Sequence, residues 1–318
     1  MSNNAVALVA ADSGPILLSM TGLKAGKTWR DVSKQGFILD LSLNPRQWRS
    51  LDVPGPPRLA ASAVAIGTTV YLVGGYTVAE DHTEVSTPEI WSLDTTTGDW
   101  SERTTMPVPV DDSVVMVYAD RYLILVSGWS NSTNVDNTQV YDTETDQWWQ
   151  STPFPGWPVF GHAGALSDDW MVICDGVKIE PLVEGRRFVP AVQCHEGLIA
   201  DDRATTIEWQ QIDHHGGPGL YRMAAGASDQ RVIFAGGSPN PYNYNGVGYD
   251  GRLSLASRRV FARSRLSSQW QLLDPLPAGS MDHRGLLISE GSMYVIGGMH
   301  DPQQVSAGVI SGKVPAAN

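Results

Sequence analysis

The chain has 318 residues, of which 42% are hydrophobic and 18% charged, and its formal net charge is −12. This composition fits a globular protein and excludes a disordered one. The acidic balance excludes a nucleic-acid partner, which needs basic surface against the phosphates, and it argues against an anionic membrane surface.

The opening stretch MSNNAVALVAADSGPILLSM lacks the basic segment of a signal peptide. No apolar run reaches the ~18 residues of a membrane span. We therefore expect a cytoplasmic protein, or a periplasmic or secreted one if the chain is trimmed at its N-terminus.

Short apolar runs that close on a small residue and a glycine recur along the chain. They end at Thr21-Gly22, Gly74-Gly75, Ser127-Gly128, Asp175-Gly176, Gly236-Gly237 and Gly297-Gly298, with glycine spacings of 53, 53, 48, 61 and 61 residues. A tryptophan followed by a proline recurs at matching intervals, at Trp48, Trp100, Trp148, Trp209 and Trp270. Because the two markers move together, they indicate one repeated unit of about 50 residues.

Each unit contains four short strands, which in the third unit are SVVMVYA, YLILVSG, TQVYDTE and QWWQSTP. One four-stranded sheet cannot bury both of its faces, whereas a ring of such sheets can. We expect the repeated tryptophans to be mostly buried between units, so that replacing one by alanine costs about 3–5 kcal/mol.

The runs VYLVGG, VYDTETDQWWQSTPFP and MYVIGG resemble kelch repeats over nearly the whole chain. The resemblance implies an all-β, six-bladed kelch-type β-propeller as one domain over residues 1–318. Its four-stranded blades are expected near 1–54, 55–107, 108–155, 156–217, 218–277 and 278–318. Only 21 residues follow Gly297 and none is tryptophan. We therefore expect a last blade of three strands, or an outer edge covered by the tail VPAAN or by another molecule.

In a kelch propeller, the chain enters each inner strand at the face that also carries the loops between second and third strands. Polar residues stand near this entry in most blades: Asn4, Arg58, Asp112, His162, Tyr221, Arg222, Asp282, His283 and Arg284. Converging polar groups above a packed channel are typical of a site for a small polar ligand. The alternative is that these groups solvate strand ends, with the arginines paired to Asp111, Asp112 and Asp282.

The residue types suggest roles within such a site. Arg58, Arg222 and Arg284 suit a carboxylate by bidentate contacts, and His162, His283 or Asp112 suit proton transfer. The long loop SPNPYNYNGVGYDGRLSLASR of the fifth unit carries Tyr244, whose ring could stack on a sugar. The alternative is a turn-rich loop folded on itself.

Neither a metal site nor a cofactor is predicted. His214 and His215 are adjacent, so on a strand they would point to opposite faces and would not share a metal. Copper radical oxidases also use kelch propellers, but no copper cluster is readable around Cys174 and Cys194. We expect these cysteines on neighbouring strands, and two buried free thiols are slightly favoured over a disulfide.

The fragment VIFAGGSPNPYNYNG is similar to the long loop of six-bladed bacterial kelch proteins that act on N-acetylneuraminate as mutarotases or epimerases. The resemblance implies a bacterial carbohydrate isomerase that binds a sugar or sugar acid at the channel mouth. The alternative is a non-catalytic propeller that binds a protein or a glycan on the same rim.

Overall fold

Six antiparallel sheets form the framework of residues 1–315, which are the residues that the computed structural model describes. Each sheet comes from one consecutive stretch of chain.

The first three sheets contain strands β1 to β14. Blade one comprises β1 (Ala5–Ala11), β2 (Gly14–Leu23), β3 (Val32–Asp40) and β4 (Arg49–Asp52), with a 3-10 turn at Trp29–Asp31. Blade two comprises β5 (Ser62–Ile66), β6 (Thr69–Val73), β9 (Ile90–Asp94) and β10 (Trp100–Arg103), with an extra hairpin of β7 (Tyr76–Val78) and β8 (Glu84–Ser86). Blade three comprises β11 (Val114–Tyr118), β12 (Tyr122–Ser130), β13 (Thr133–Asp142) and β14 (Gln147–Gln150).

The last three sheets contain strands β15 to β29. Blade four comprises β15 (Ala163–Ser167), β16 (Trp170–Cys174), β19 (Cys194–Ile199) and β20 (Ile207–Ile212), with a hairpin of β17 (Val177–Pro181) and β18 (Arg186–Pro190). Blade five comprises β21 (Ala224–Ser228), β22 (Arg231–Ala235), β23 (Val260–Ser264) and β24 (Trp270–Leu272). Blade six comprises β25 (Leu287–Ser289), β26 (Ser292–Ile296) and β29 (Val309–Lys313), with a hairpin of β27 (Met299–His300) and β28 (Gln304–Val305).

The first strands of the blades contact one another in the closed order β1, β5, β11, β15, β21, β25 and back to β1. The fold is therefore a six-bladed β-propeller, as the repeat predicts. Hydrophobic clusters fill the gaps between neighbouring blades; Ile124 of blade three, for example, packs in one cluster with Ile173 of blade four. No helix among the described residues has the length and apolar character needed to cross a membrane.

A ring of backbone hydrogen bonds surrounds the propeller axis just ahead of the inner strands. Its six positions have left-handed backbone conformations with φ between 48° and 70°, and they are Asn3, Ala60, Asp112, Gly161, Arg222 and Asp282. We call this set the axial ring. At four of its steps, a ring N–H donates to the ring carbonyl of the preceding blade, as Arg222 does to Gly161 at 2.7 Å. Asn3 closes the circle by donating to Asp282 at 2.9 Å, and in blade six His283 donates to Arg222 in place of Asp282.

The last blade has three strands within the described residues, which agrees with the sequence expectation. The N-terminus ties this blade to the first one: the Met1 ammonium donates to the Ser306 carbonyl at 2.9 Å, and the Gly298 N–H donates to the Met1 carbonyl at 3.0 Å. Of the tail VPAAN, Val314 packs between blades five and six, and the Pro315 carbonyl accepts from Arg231. Residues 316–318 of that tail lie outside the described part.

The repeated tryptophans are mostly buried against the hydrophobic clusters between neighbouring blades, as expected, although none is fully buried. They stand at or near the start of the outer strands, and each indole side chain remains partly exposed to solvent. Four of them connect neighbouring blades through the indole N–H, which donates to a backbone carbonyl of the preceding blade. These bonds join Trp100 to Asp52, Trp148 to Thr104, Trp209 to Thr152 and Trp270 to Asp213, at 2.8, 3.0, 3.3 and 2.7 Å.

Cys174 and Cys194 form a disulfide, so the expectation of two free thiols is wrong. The two residues lie directly opposite each other on β16 and β19. Their Cα atoms are 4.2 Å apart, which is close to the ~4.5 Å of a non-hydrogen-bonded antiparallel pair. The sequence places both cysteines on neighbouring strands but does not set the register that brings them together.

We expect Trp148→Phe to lower the free energy of unfolding by about 1 kcal/mol, the net value of one hydrogen bond. Phenylalanine keeps the packing against Tyr141, whose ring lies 4.9 Å away, and removes only the indole N–H. Because the Trp148 indole is not fully buried, Trp148→Ala should cost less than the ~3–5 kcal/mol of a fully buried site. Urea denaturation measures both changes.

Trp157→Phe is the matched control, because Trp157 is 60% exposed. Its change should stay within about 0.5 kcal/mol. Equal losses for Trp148→Phe and Trp157→Phe would contradict an inter-blade role for the Trp148 N–H.

Candidate functional site

A cavity of about 510 Å³ opens above the axial ring, and we call it the mouth cavity. Its walls come from blades two, three, four and five. The hairpin β7–β8, the end of β12, the hairpin β17–β18 and the long loop after β22 all contribute side chains. Loops held by a rigid scaffold commonly carry binding residues.

Two opposite blades meet above this cavity. His82 lies at the turn of the β7–β8 hairpin of blade two, and Tyr244 lies in the long loop of blade five. His82 Nδ1 and the Tyr244 hydroxyl are 2.9 Å apart, and their rings are stacked. Blades two and five are three steps apart in a ring of six, so this contact spans the axis and partly covers the mouth.

One wall of the mouth cavity is aromatic. Trp129 packs against Phe160 and Phe188, with ring centroids 5.4 and 5.8 Å apart, and Phe188 packs against Tyr249 at 4.4 Å. The Arg186 guanidinium lies over Trp129 and Phe188, 4.9 and 5.2 Å from the ring centroids. The wall thus offers flat apolar surface beside one exposed cation.

The other wall carries carboxyl groups. Glu84 lines the cavity from β8, and Asp111 lies beside it, buried, accepting a hydrogen bond from Ser86 Oγ at 2.5 Å. Desolvation raises the pKa of Glu84 above its ordinary value. Burial, reinforced by the charge of Asp112, raises the pKa of Asp111 well above its ordinary value. Raised carboxyl pKa values in a cleft are suited to proton transfer near neutral pH.

Below the cavity lies a buried set of ion pairs, which we call the ionic floor: Asp112, Arg222, Asp282 and Arg284. Arg222 binds both oxygens of Asp112, at 2.9 and 2.5 Å, and Oδ1 of Asp282 at 2.9 Å. Arg284 reaches across the axis from blade six and donates to Asp112 Oδ1 at 2.6 Å. The side chains of the floor are at most 3% exposed. The two guanidiniums are therefore paired with the two aspartates inside the protein.

A second cavity of about 300 Å³ lies in the channel beneath the floor, between the inner strands. His162 and His283 line it, together with Arg284. Burial lowers the pKa of both histidines to about 3, so both are neutral at pH 7. His162 Nε2 lies 2.9 Å from the Val126 carbonyl, and His283 Nε2 lies 2.8 Å from Ser280 Oγ.

The structure therefore separates the residues that the sequence groups together. Asp112, Arg222 and Tyr244 line the mouth cavity, whereas His162, His283 and Arg284 line the channel below it. Neutral histidines on the far side of an ionic floor are poorly placed for proton transfer in the mouth cavity.

The remaining predicted residues are buried away from the mouth cavity. Asp282 belongs to the ionic floor, and Tyr221 packs between Phe160 and Tyr242 at 5.4 and 4.9 Å. Asn4 donates to Ser19 Oγ at 2.8 Å. Of these contacts, the ionic floor and the packing of Tyr221 on Phe160 join different blades, whereas the Asn4 bond lies within blade one.

Arg58 does not reach the axis. It lies two residues ahead of the axial-ring position of its blade, which is Ala60, and its side chain is 0% exposed. Its guanidinium donates to the Gly74 carbonyl at 3.2 Å and to Thr87 Oγ1 at 3.4 Å, within blade two. The proposed carboxylate site of three arginines is thus not assembled.

Glu84, Arg186 and the aromatic wall are absent from the sequence-based set of site residues. Glu84, Arg186, Phe188 and Tyr249 stand in the segments between second and third strands, whereas Trp129 ends β12 and Phe160 precedes β15. One signal for blade four was present in the sequence: the spacing of 61 residues from Gly176 to Gly237 exceeds the shorter repeats and leaves room for the extra hairpin β17–β18.

His214 and His215 also differ from expectation. Both Nε2 atoms contact the carboxylate of Asp175, at 2.7 and 2.9 Å. The two histidines follow β20 in a loop, so the alternation of side chains along a strand does not apply to them.

Residues 57–107 match the family model described as Kelch motif. The chain is a kelch-repeat β-propeller. The solved chain titled "Structure of YjhT" shares this fold, with a TM-score of 0.77 and 16% identity, over 97% of this chain and 94% of that one.

Two Arabidopsis thaliana proteins are similar to part of the kelch propeller. "Acyl-CoA-binding domain-containing protein 5" is 26% identical and "Acyl-CoA-binding domain-containing protein 4" is 28% identical, each over 163 residues. The match takes in 48% of this chain and 24% of each relative, so the chain spans about a quarter of the length of these curated relatives.

We expect His162→Gln to flatten the dependence of stability on pH. The unfolded histidine takes up a proton near pH 6.5, whereas the folded one does so only near pH 3. Stability is therefore lost as the pH falls below 6.5, by about 2 kcal/mol per histidine between pH 7 and pH 5. Urea midpoints at both pH values measure this loss.

Glutamine can still donate to the Val126 carbonyl and does not titrate. The drop in stability from pH 7 to pH 5 should therefore be about 2 kcal/mol smaller in the variant than in the parent. His283→Gln should behave in the same way, and an unchanged drop in both variants would refute the burial of neutral histidines in the channel.

Proposed function

We propose that the mouth cavity binds a polyhydroxylated small molecule, a sugar or a sugar acid. The observation that carries this proposal is the pairing of an aromatic wall with an acidic wall across one cavity of about 510 Å³. Ring faces stack on the apolar side of a sugar, while carboxylates and the Asn131 amide suit its hydroxyls. The volume lies within the range of small-molecule sites.

Recognition of a ligand carboxylate falls to Arg186 in this proposal. Arg222 and Arg284 are already neutralised by the aspartates of the ionic floor. Arg186 is exposed, donates to the Ser132 carbonyl and forms no ion pair among the described residues. Its planar guanidinium beside Trp129 suits a carboxylate of a stacked sugar acid.

Titration calorimetry with glucuronate, N-acetylneuraminate and neutral glucose tests both parts of the proposal. We expect Arg186→Gln to weaken binding of the two acids about tenfold, the loss of one charge-assisted hydrogen bond. Binding of glucose should be unchanged, because stacking and hydroxyl contacts persist.

Arg187→Gln is the matched control, since Arg187 is the next residue and pairs with Glu180 outside the cavity lining. It should leave all three affinities unchanged. Absence of binding for the whole panel would refute a sugar site, and equal losses for acids and glucose would refute the carboxylate role of Arg186.

We further propose that the bound sugar undergoes anomer exchange, with Glu84 and Asp111 as the proton-transfer pair. One carboxylate takes the proton of the anomeric hydroxyl while the bond from C1 to the ring oxygen breaks. The electron pair goes to the ring oxygen, which takes a proton from the other carboxyl group. Closure on the opposite face of the carbonyl reverses both transfers. The raised pKa values of the two groups support this assignment.

We expect Glu84→Gln to slow enzyme-dependent anomer exchange at least tenfold, because an amide cannot exchange the proton. NMR spectra of a freshly dissolved single anomer measure the rate, and calorimetry should show that the sugar still binds. Glu80→Gln is the control, since Glu80 lies on the same hairpin connection with its side chain 75% exposed. Binding by the parent protein without any acceleration over buffer would favour the non-catalytic alternative.

One observation supports that alternative, a propeller that binds a protein. Leu182 and Val183 lie at the turn of the hairpin β17–β18, and their relative solvent exposures are 51% and 105%. The same hairpin carries Arg186 and Phe188 to the mouth cavity. An apolar tip beside the mouth would suit a protein that covers this face.

A further inference from the structure

A buried carboxylate replaces a glycine in blade four. The equivalent positions of blades two, five and six are Gly74, Gly236 and Gly297, and those of blades one and three are the uncharged Thr21 and Ser127. Asp175 keeps the same left-handed backbone, with φ of +63°, although this conformation disfavours residues with a Cβ. Its side chain is 0% exposed. A strained backbone and a buried charge at one position call for a specific role.

The two oxygens of Asp175 have different surroundings. Oδ2 accepts from the Leu220 N–H and lies against His215 Nε2, both at 2.9 Å. Oδ1 faces His214 Nε2 at 2.7 Å. The contacts to Oδ2 fix the orientation of the carboxylate and direct Oδ1 towards His214.

The sulfur of Cys194 completes a cluster of three. One ligand atom each of Asp175, Cys194 and His214 lies within 4.8 Å of the other two. Carboxylate, thiolate and imidazole are the ligands that Zn²⁺ takes in proteins. In the structure, however, Cys194 is bonded to Cys174 in a disulfide. A cysteine binds a metal only as a free thiolate.

We propose that reduction of the Cys174–Cys194 disulfide creates a Zn²⁺ site from Asp175, Cys194 and His214. This proposal is independent of the sugar site, because none of these residues lines the mouth cavity. The oxidised protein lacks the thiolate ligand and should bind the ion weakly.

The chemistry balances with a dithiol as the reductant. Two electrons and two protons from the dithiol break the S–S bond and give two thiols, while the dithiol becomes a disulfide. Zn²⁺ then displaces the proton of the Cys194 thiol into solvent. His215 and the Leu220 N–H hold the carboxylate as outer partners. The His214 side chain is 16% exposed, so the ion can enter from its side, and a water can take the fourth position.

The competing explanation is purely structural: the histidines provide hydrogen-bond partners for a buried carboxylate, and the disulfide ties β16 to β19. That explanation predicts no gain of metal affinity on reduction. It also predicts that replacing either cysteine has the same effect, because each replacement removes the same disulfide.

Titration of the full chain with Zn²⁺, before and after reduction by a phosphine, tests the proposal. We expect one ion to bind the reduced protein at least 100-fold more tightly than the oxidised protein. The decisive pair is Cys174→Ser and Cys194→Ser. Cys174→Ser should bind without any reductant, and Cys194→Ser should fail to bind tightly in either state.

Cobalt provides a spectroscopic readout of the same pair. Co²⁺ should give a thiolate-to-metal charge-transfer band with Cys174→Ser and none with Cys194→Ser. If both cysteine variants unfold, the test compares Zn²⁺ binding by the reduced parent protein with Zn²⁺ binding by reduced His214→Gln. We expect the variant to bind at least tenfold more weakly. Equal affinity of the oxidised and reduced parent, or of reduced parent and His214→Gln, would overturn the proposal.

Discussion

The axial ring of hydrogen bonds is the constraint on which the other features depend. Five of its six residues are not glycine and yet have left-handed backbones, a conformation that costs of order 1–3 kcal/mol at each position. The strain persists because most ring residues donate to one neighbouring blade and accept from the other, so no single blade can relax alone. The same geometry sends the side chains of successive blades towards one axis. Asp112, Arg222 and Asp282 are all ring residues, and their meeting in the ionic floor is a direct result.

The floor explains how an acidic chain can keep two buried guanidiniums at its centre. Removing either aspartate would leave a buried positive charge without its partner. The free-energy cost of that unpaired charge is far larger than the net stabilisation that the intact ion pairs provide. The floor also separates two environments. Below it, the channel is lined mainly by apolar inner-strand residues, with two neutral histidines. Above it, the mouth cavity is open to solvent, with carboxyl groups whose pKa values are raised. The proton transfer that we propose is therefore assigned to the upper side.

The repeat in the sequence predicts the fold because each marker has a local physical cause: an apolar strand, a turn at the glycine and a tryptophan on the outer strand. The count of residues after Gly297 likewise predicts the three-stranded last blade. The site is harder to predict, because the ring positions share no residue type, being Asn, Ala, Asp, Gly, Arg and Asp. An error of two residues in placing the ring position of blade two is enough to select Arg58 in place of Ala60. The contact of His82 with Tyr244 joins residues 162 positions apart, and nothing local in either segment indicates its partner.

The chemistry of this propeller is concentrated in its longest departures from the repeat. The hairpin of blade two supplies Glu84, that of blade four supplies Arg186 and Phe188, and the long loop of blade five supplies Tyr244. These segments take no part in the hydrogen bonds of the axial ring. Their sequences can therefore change without weakening the contacts between blades. Blade four departs furthest, with an aspartate in place of a glycine, paired histidines after its last strand and a disulfide between its middle strands. Features that strain or replace the repeat without improving its packing need a cause outside the fold, and ligand binding is the cause that we propose for both sites.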